Sequence, residues 1–308
     1  MIGSGLTFPL VSRRRLIGLA FGSMHGARRG SGSDIAGSRP YVPGDDPHRI
    51  DWASSARLSA ARGTDEFIVR EYLADEAPRA VVCLDRRPAM SLCPPGLPFL
   101  HKAQAAESAL ALIEASVAES RGLVGRLELE RPGLVGWCPP TSGRHVALVE
   151  HALPERTGAA DAITGLFEFL TIHRRSVPSA SFVFVLSDFL EPTPLETWEW
   201  ALDRGWDVVP VVIQDPTWER SFPEVHGVAL PIVDAATGRR ELLRLSAREV
   251  AERREAHEAR AQAIVDDFHA LRIEPVTVTS ADPEHVLDAF LQWADGRVYA
   301  RGAEWRAA

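Results

Sequence analysis

Three short, uninterrupted apolar runs set the strongest limit on how this chain folds. Ala80-Val81-Val82-Cys83-Leu84 ends at Asp85, and Ser181-Phe182-Val183-Phe184-Val185-Leu186 ends at Ser187-Asp188. Asp207 opens the third, Val208-Val209-Pro210-Val211-Val212-Ile213. A strand with one wet face alternates apolar and polar residues, whereas a strand covered on both faces is apolar throughout, as in parallel sheets. Between these runs the period changes to that of helices. Phe99 to Ser120 places Ala105, Ala109, Leu112, Ile113 and Val117 on one side. Ala160 to His173 and His145 to Leu153 also read as helices. Thr193-Pro194-Leu195-Glu196 carries the elements of a capping box, and Ser246-Ala247-Arg248-Glu249 repeats them before a long charged helix ending near Leu271. Asp282-Pro283-Glu284 opens a last helix. Leu127–Glu130, Leu134–Cys138 and Pro275–Val278 are further strands, and Gly227 to Ser246 is a hairpin turning at Asp234 to Gly238. Strand alternating with helix over this length predicts an open, doubly wound α/β sheet.

Residues 1–76 differ in kind. Gly30-Ser31-Gly32-Ser33 and Pro43-Gly44-Asp45-Asp46-Pro47 punctuate too densely for long helices, which predicts short strands and ordered loops, with a strand over Glu66 to Leu73. The chain therefore divides into a β-rich extension, 1–76, and a sheet domain, 77–308. A net charge of −8, from 34 basic and 42 acidic residues, argues against nucleic acid as the partner. Cys83, Cys93 and Cys138 form no C-x-x-C pair, so reduced thiols in the cytoplasm are expected. Ser12-Arg13-Arg14-Arg15-Leu16 faintly resembles a twin-arginine export signal, but Gly18 and Gly22 cut short the apolar run that such a signal needs. A basic stretch on a strand or loop is the expected form. No run reaches the roughly 18 apolar residues of a membrane span, so no integral membrane segment is expected.

The stretch from Arg39 to Trp52 reads Arg-Pro-Tyr-Val-Pro-Gly-Asp-Asp-Pro-His-Arg-Ile-Asp-Trp, followed by Ser55-Ala56-Arg57 and Val69-Arg70-Glu71. It resembles the signature of the bacterial domain-of-unknown-function family 58, R-x-Y-x-P-G-D-D-x-x-R-I-D-W, with its later s-A-R and v-R-E. The apolar strand ending in Asp85 and the Asp-x-x-Thr-Gly hairpin at Asp234 to Gly238 fit as well, so the resemblance runs from about Gly22 onward. It implies a von Willebrand factor A-like (Rossmann-like) sheet preceded by an extension. It also implies a role as partner or adaptor of a MoxR-type AAA+ ATPase acting on a client protein.

Von Willebrand A domains commonly hold a divalent cation at the carboxyl ends of their strands, through Asp-x-Ser-x-Ser, a threonine in a middle loop and a later aspartate. Such hydroxyl and carboxylate oxygens suit Mg²⁺. Here the first element reads Asp85-Arg86-Arg87-Pro88-Ala89, with Arg87 and Ala89 at the serine positions. The middle loop aligns with Gly158-Ala159-Ala160-Asp161, and Asp188 fits the last position. A guanidinium about 4 Å from a cation costs roughly 4 kcal/mol at an effective dielectric near 20. The expectation is therefore a degenerate site at Asp85 and Asp188, neutralised by Arg87, with no cofactor and with Mg²⁺ disfavoured. Asp85 read alone is a strand-end carboxylate capping nearby amides.

The signature itself admits two readings. Pro43-Gly44 builds a turn, and Asp45, Asp46 and Asp51 stand among Arg39, Arg49, Arg57 and Arg70, which suits Arg–carboxylate pairs. With Tyr41, Trp52 and Glu71 these residues are either an ion-pair network fastening the extension to the sheet or a docking surface. No hydrolase elbow, zincin or P-loop motif occurs, and the position two residues after Asp85 holds Arg87 rather than the second aspartate of aspartyl phosphotransferases. The sequence thus points to a non-enzymatic interaction module. A metal-dependent ligand-binding module is the alternative, and a phosphotransfer or hydrolytic enzyme using Asp85 the third reading.

Overall fold

In the computed structural model, residues 6–13, 19–94, 97–131, 133–142, 147–153, 162–233 and 239–307 are described. The chain opens with a strap, residues 6–13. A long strand β1 (Leu19–Pro40) follows, then helix α1 (Trp52–Arg62) and β2 (Ile68–Ala77). Pro78 links β2 to β3 (Arg79–Asp85), and the short α2 (Pro88–Ser91), α3 (Lys102–Glu119), β4 (Leu123–Arg131), β5 (Leu134–Thr141) and β6 (Val149–Ala152) come next. The remainder is α4 (Ala162–Ile172), β7 (Phe182–Ser187), α5 (Leu195–Asp203), β8 (Asp207–Ile213), the β9 (Ala229–Val233) and β10 (Arg240–Arg244) hairpin, α6 (Ala247–Ala270), β11 (Val276–Val278) and α7 (Pro283–Ala307).

Seven strands form the central sheet in the order β11-β8-β7-β3-β4-β5-β6. From β11 to β4 all neighbours are parallel, while β5 and β6 join antiparallel at one edge. Leaving out the edge strand β6, the chain order across the sheet is that of the doubly wound 3-2-1-4-5-6 arrangement. The apolar runs explain the layering. Ala80, Val82 and Leu84 of β3 face α3 and α7, whereas Val81 and Cys83 face α4 and Phe268 of α6. Both sides of the strand are buried, which is why the run is apolar throughout.

The strap sits inside this core. Phe8 packs on Phe290 and Trp293 of α7, and its amide donates to Ser116 Oγ at 3.0 Å. The Arg13 amide donates to Asp207 Oδ2 at 2.7 Å, and buried Arg297 donates from Nη1 to Asp207 and to the Val11 carbonyl. The extension is therefore joined to the sheet at two places, through the strap and through Pro78. Its β1 and β2 form a separate antiparallel ribbon in which 22 residues face 10, the excess being taken up in register shifts.

Several expectations change. The dense punctuation of the extension does not prevent an 11-residue helix, α1, because Asp51 caps its start and Gly63, at φ 69°, closes its end. His145 to Leu153 is not a helix. Its described part is the edge strand β6, whose backbone partners lie in β5. The Thr193 capping box is not made: the helix begins at Leu195 after Pro194, so Glu196 stands too early in the first turn to reach back to a cap. The box at Ser246 and Glu249 is complete. The β9–β10 hairpin forms as expected, its turn at Asp234 to Gly238 lying outside the described residues.

Candidate functional site

Chain order reverses between β3 and β7. β3 is followed on one side by β4, and the chain later returns to place β7 on its other side. In open α/β sheets this switch point, outside the carboxyl ends of the strands, is where ligand-binding crevices form. Asp85 ends β3 and Asp188 follows β7, so the two sequence-predicted carboxylates stand on either side of it. Both are buried.

Arg87 grips Asp85 through two points, Nε to Oδ1 at 2.9 Å and Nη2 to Oδ2 at 2.7 Å. The Arg87 amide also donates to Oδ1, at 3.0 Å, and Ser187 Oγ donates to Oδ2, at 2.8 Å. Both readings of Asp85, capping group and ion-pair partner, therefore hold at once. Asp85 and the exposed Glu191, which Arg87 reaches with Nη1, raise the guanidinium well above its ordinary pKa.

Asp188 has a different partner from the one the sequence suggested. Arg87 does not serve both carboxylates; Lys102, at the start of α3, donates from Nζ to Asp188 Oδ2 at 2.6 Å and to Glu219 Oε1 at 2.7 Å. Lys102 is only 2% exposed. Burial alone would lower its pKa, but the charges of Asp188 and Glu219 and their hydrogen bonds outweigh it, so the ammonium is held protonated. The surroundings fix all three groups. Gln214 Nε2 donates to the Asp188 carbonyl at 2.6 Å, the Asp215 amide to Glu219 Oε2 at 2.8 Å, and the Leu100 amide to Asp215 Oδ2 at 2.6 Å. Phe189 takes a φ of 50°, a left-handed conformation, which turns its ring into the core against Trp198 and Phe268 directly after Asp188.

Lys102 and Glu219 escaped the sequence reading, although one signal was present. Lys102 stands at the head of the mostly apolar helix that the sequence predicts from Phe99, where an unpaired buried ammonium is too costly to stand alone. The middle-loop residues Gly158 to Asp161 lie outside the described residues. Among the described residues no three His, Cys, Asp or Glu side chains converge as a metal-holding group. The donor set does not fit a hard divalent cation, because both Asp85 oxygens and one of Asp188 already face cationic nitrogens.

The signature residues lie at the far end of the β1–β2 ribbon, ten residues of β2 from its junction with the sheet, roughly 33 Å along an extended strand. Pro43 and Gly44 are the central residues of a turn closed by the Asp45 amide on the Val42 carbonyl at 3.0 Å, with Gly44 at φ 108°. Arg39 pairs two-pronged with Asp45, at 2.7 and 2.6 Å. Asp46 caps the short turn Pro47–Arg49 through the His48 amide. Asp51 caps α1 through Ser54 and accepts from Arg70 Nε at 3.0 Å. These pairs hold Asp45 and Asp51 at about 2, far below the ordinary carboxylate. Arg57 donates to the Ala53 carbonyl of its own helix. Arg49 ends the capped turn, and Glu71 lies in β2 with its side chain outside the described atoms. The two Arg–Asp pairs close within residues 39–70, so they brace the tip on itself rather than on the sheet. Beside the brace three large apolar side chains stand exposed, Trp52 at 63%, Val42 at 55% and Phe67 at 44%, among exposed polar ones such as Asp46, His48, Arg57 and Asp65. Trp52 and Tyr41 each meet Phe67 edge to face, with ring centroids 5.9 and 6.4 Å apart.

With this geometry in hand, the comparison with known families is direct. The family described as Protein of unknown function DUF58 matches residues 37–264, which takes in the signature tip and both sides of the switch point. The chain belongs to that family. Two relatives of this DUF58 chain, Uncharacterized protein Rv1480 of Mycobacterium tuberculosis and Uncharacterized protein Mb1516 of Mycobacterium bovis, are each 25% identical to it over 237 residues. Those residues are 75% of this chain and 70% of each relative. Among solved structures, the crystal structure of conserved hypothetical protein BatB from Bacteroides thetaiotaomicron is similar at a TM-score of 0.39 and 16% identity, over 71% of this chain and 99% of that one. Among the described residues of the DUF58 chain, no helix is long and apolar enough to cross a membrane.

Proposed function

We propose that this DUF58 protein is a non-enzymatic, cytoplasmic interaction module that docks a protein partner through the tip of its extension. The observation that carries the reading is the pairing of a rigid brace with an apolar surface. Arg39 pairs with Asp45 and Arg70 with Asp51, and beside these pairs three large apolar side chains, Trp52, Val42 and Phe67, are exposed. Aromatic anchors presented at low conformational cost are what protein interfaces use. The partner that the family resemblance implies is a MoxR-type AAA+ ATPase, with a further client protein and no nucleic acid. At the other end of the molecule, a carboxylate forked by an arginine is a poor nucleophile, which supports a binding role over phosphotransfer at Asp85.

The test is co-elution of the purified protein with the MoxR-type ATPase encoded nearest its gene, with and without ATP and Mg²⁺, using the parent chain and Trp52→Ala. Association in the parent and its loss in a variant that melts at the same temperature is the expected result. Association that Trp52→Ala leaves untouched would move the contact off the tip.

A further inference from the structure

We propose that the ammonium of Lys102 is the resident cation of the switch-point site, standing where a divalent metal would and making the site metal-independent. This inference concerns the sheet domain alone and does not depend on which partner the tip binds.

Asp188, after β7, and Glu219, in the segment after β8, converge on one point, with oxygens 2.6 and 2.7 Å from the Lys102 nitrogen. Two carboxylates drawn together in a buried place repel unless a cation lies between them or one of them holds a proton. Such a point can hold a metal ion, and here a side chain fills it. The lengths are those of charge-assisted N–H···O bonds, longer than the roughly 2.1 Å that Mg²⁺ requires. The filling is part of the fold rather than an accident of one rotamer. Lys102 opens α3, and the segment before it is tied down where Asp215 accepts the Leu100 amide. Gln214 fixes Asp188 from its carbonyl, and the Asp215 amide fixes Glu219 from its second oxygen. Arg87 completes the replacement on the β3 side by neutralising Asp85. Two covalently attached cations thus do permanently what an exchangeable ion does elsewhere, so the site has no metal-free and metal-bound states to switch between.

The experiment starts with the unmodified protein. Titration with Mn²⁺ followed by electron paramagnetic resonance, and melting in EDTA against Mg²⁺ or Mn²⁺, are expected to show no stoichiometric binding and no change in Tm. Stoichiometric Mn²⁺ that Asp188→Asn abolishes overturns the proposal. Lys102→Ala, which leaves both carboxylates and opens a cavity, is expected to melt roughly 8 °C lower and to recover part of that loss in Mn²⁺ or methylammonium. A Lys102→Ala protein as stable as the parent without either additive also overturns it. Where Lys102→Ala does not fold, the triple variant Lys102→Met, Asp188→Asn, Glu219→Gln removes the charges together. It is expected to fold with a Tm near the parent's and to ignore Mn²⁺. A triple variant no more stable than Lys102→Ala would show that Lys102 does not act through its charge.

Discussion

The guanidinium of Arg87 and the carboxylate of Asp85 meet in a parallel two-point contact, 2.9 and 2.7 Å long, although only one residue separates them in the chain. The Arg87 amide bonds the same carboxylate, so the turn after β3 closes on its own first residue. Arg87→Ala leaves a buried charge held by the Ser187 hydroxyl and the amide of residue 87. It is expected to lower unfolding free energy by about 3 kcal/mol. Arg87→Lys keeps the charge but not the fork and should fall between the two. Urea unfolding of the three proteins decides the matter, and an alanine variant with the parent's midpoint would remove Arg87 from the account.

Acid should loosen the signature tip. Hydrogen bonding to Arg39 and to the Val42 amide holds Asp45 at about 2, against an ordinary 3.8, and Arg70 and Ser54 do the same for Asp51. A carboxyl whose folded pKa is depressed contributes stability that is fully present above the unfolded value and disappears as pH falls through the folded one. The loss therefore runs from about pH 4 down to about pH 2. Indole resonances of Trp52 followed by NMR are expected to shift across that window, and Asp45→Asn with Asp51→Asn should flatten the response.

Much of the sheet was legible because burial on two faces writes itself as an unbroken apolar run. β3, β7 and β8 lie where Ala80 to Leu84, Ser181 to Leu186 and Asp207 to Ile213 read as strands. Edges are harder to read. His145 to Leu153 has apolar residues that suit either period, and the bonds that make Val149–Ala152 a strand come from β5, not from local sequence. The signature residues lie together at the tip, yet α1 went unseen although Asp51 and Gly63 bracket it as cap residues do. At the switch point Asp85, Arg87 and Asp188 were visible from strand ends. Lys102 and Glu219 come from other elements, and only the tertiary fold brings them there.

One hydroxyl joins the two parts of the tip. Ser55 is buried in α1, donating to the Asp51 carbonyl at 2.7 Å and accepting the Ile68 amide at 2.8 Å. Ser55→Ala leaves that amide without its acceptor, at a cost of about 1–2 kcal/mol. Hydrogen exchange is expected to quicken at Ile68 and its neighbours while β3 and β7 stay protected. Uniform protection in the variant would mean that α1 is held by other contacts.

The strap makes the sharpest claim about how the extension is carried. Phe8 lies with its ring centroid 4.6 Å from that of Phe290, and beside it Asp207 receives both the Arg13 amide and the Arg297 guanidinium. Burial pushes Asp207 up, and the pairing with Arg297 offsets part of that rise. The first described residues of the extension are thus part of the core of the sheet domain, which should not reach full stability without them. Phe8→Ala is expected to cost about 3 kcal/mol, through lost burial and the cavity left against α7. Deleting residues 1–13 removes the same contacts and the Asp207 bond together, and should destabilise the sheet domain by at least as much as Phe8→Ala. Thermal and urea unfolding monitored by the near-ultraviolet signal of Trp293 and its neighbours tests both. If a chain starting after residue 13 melts with the parent, the strap is an ornament on the sheet and the extension hangs from Pro78 alone.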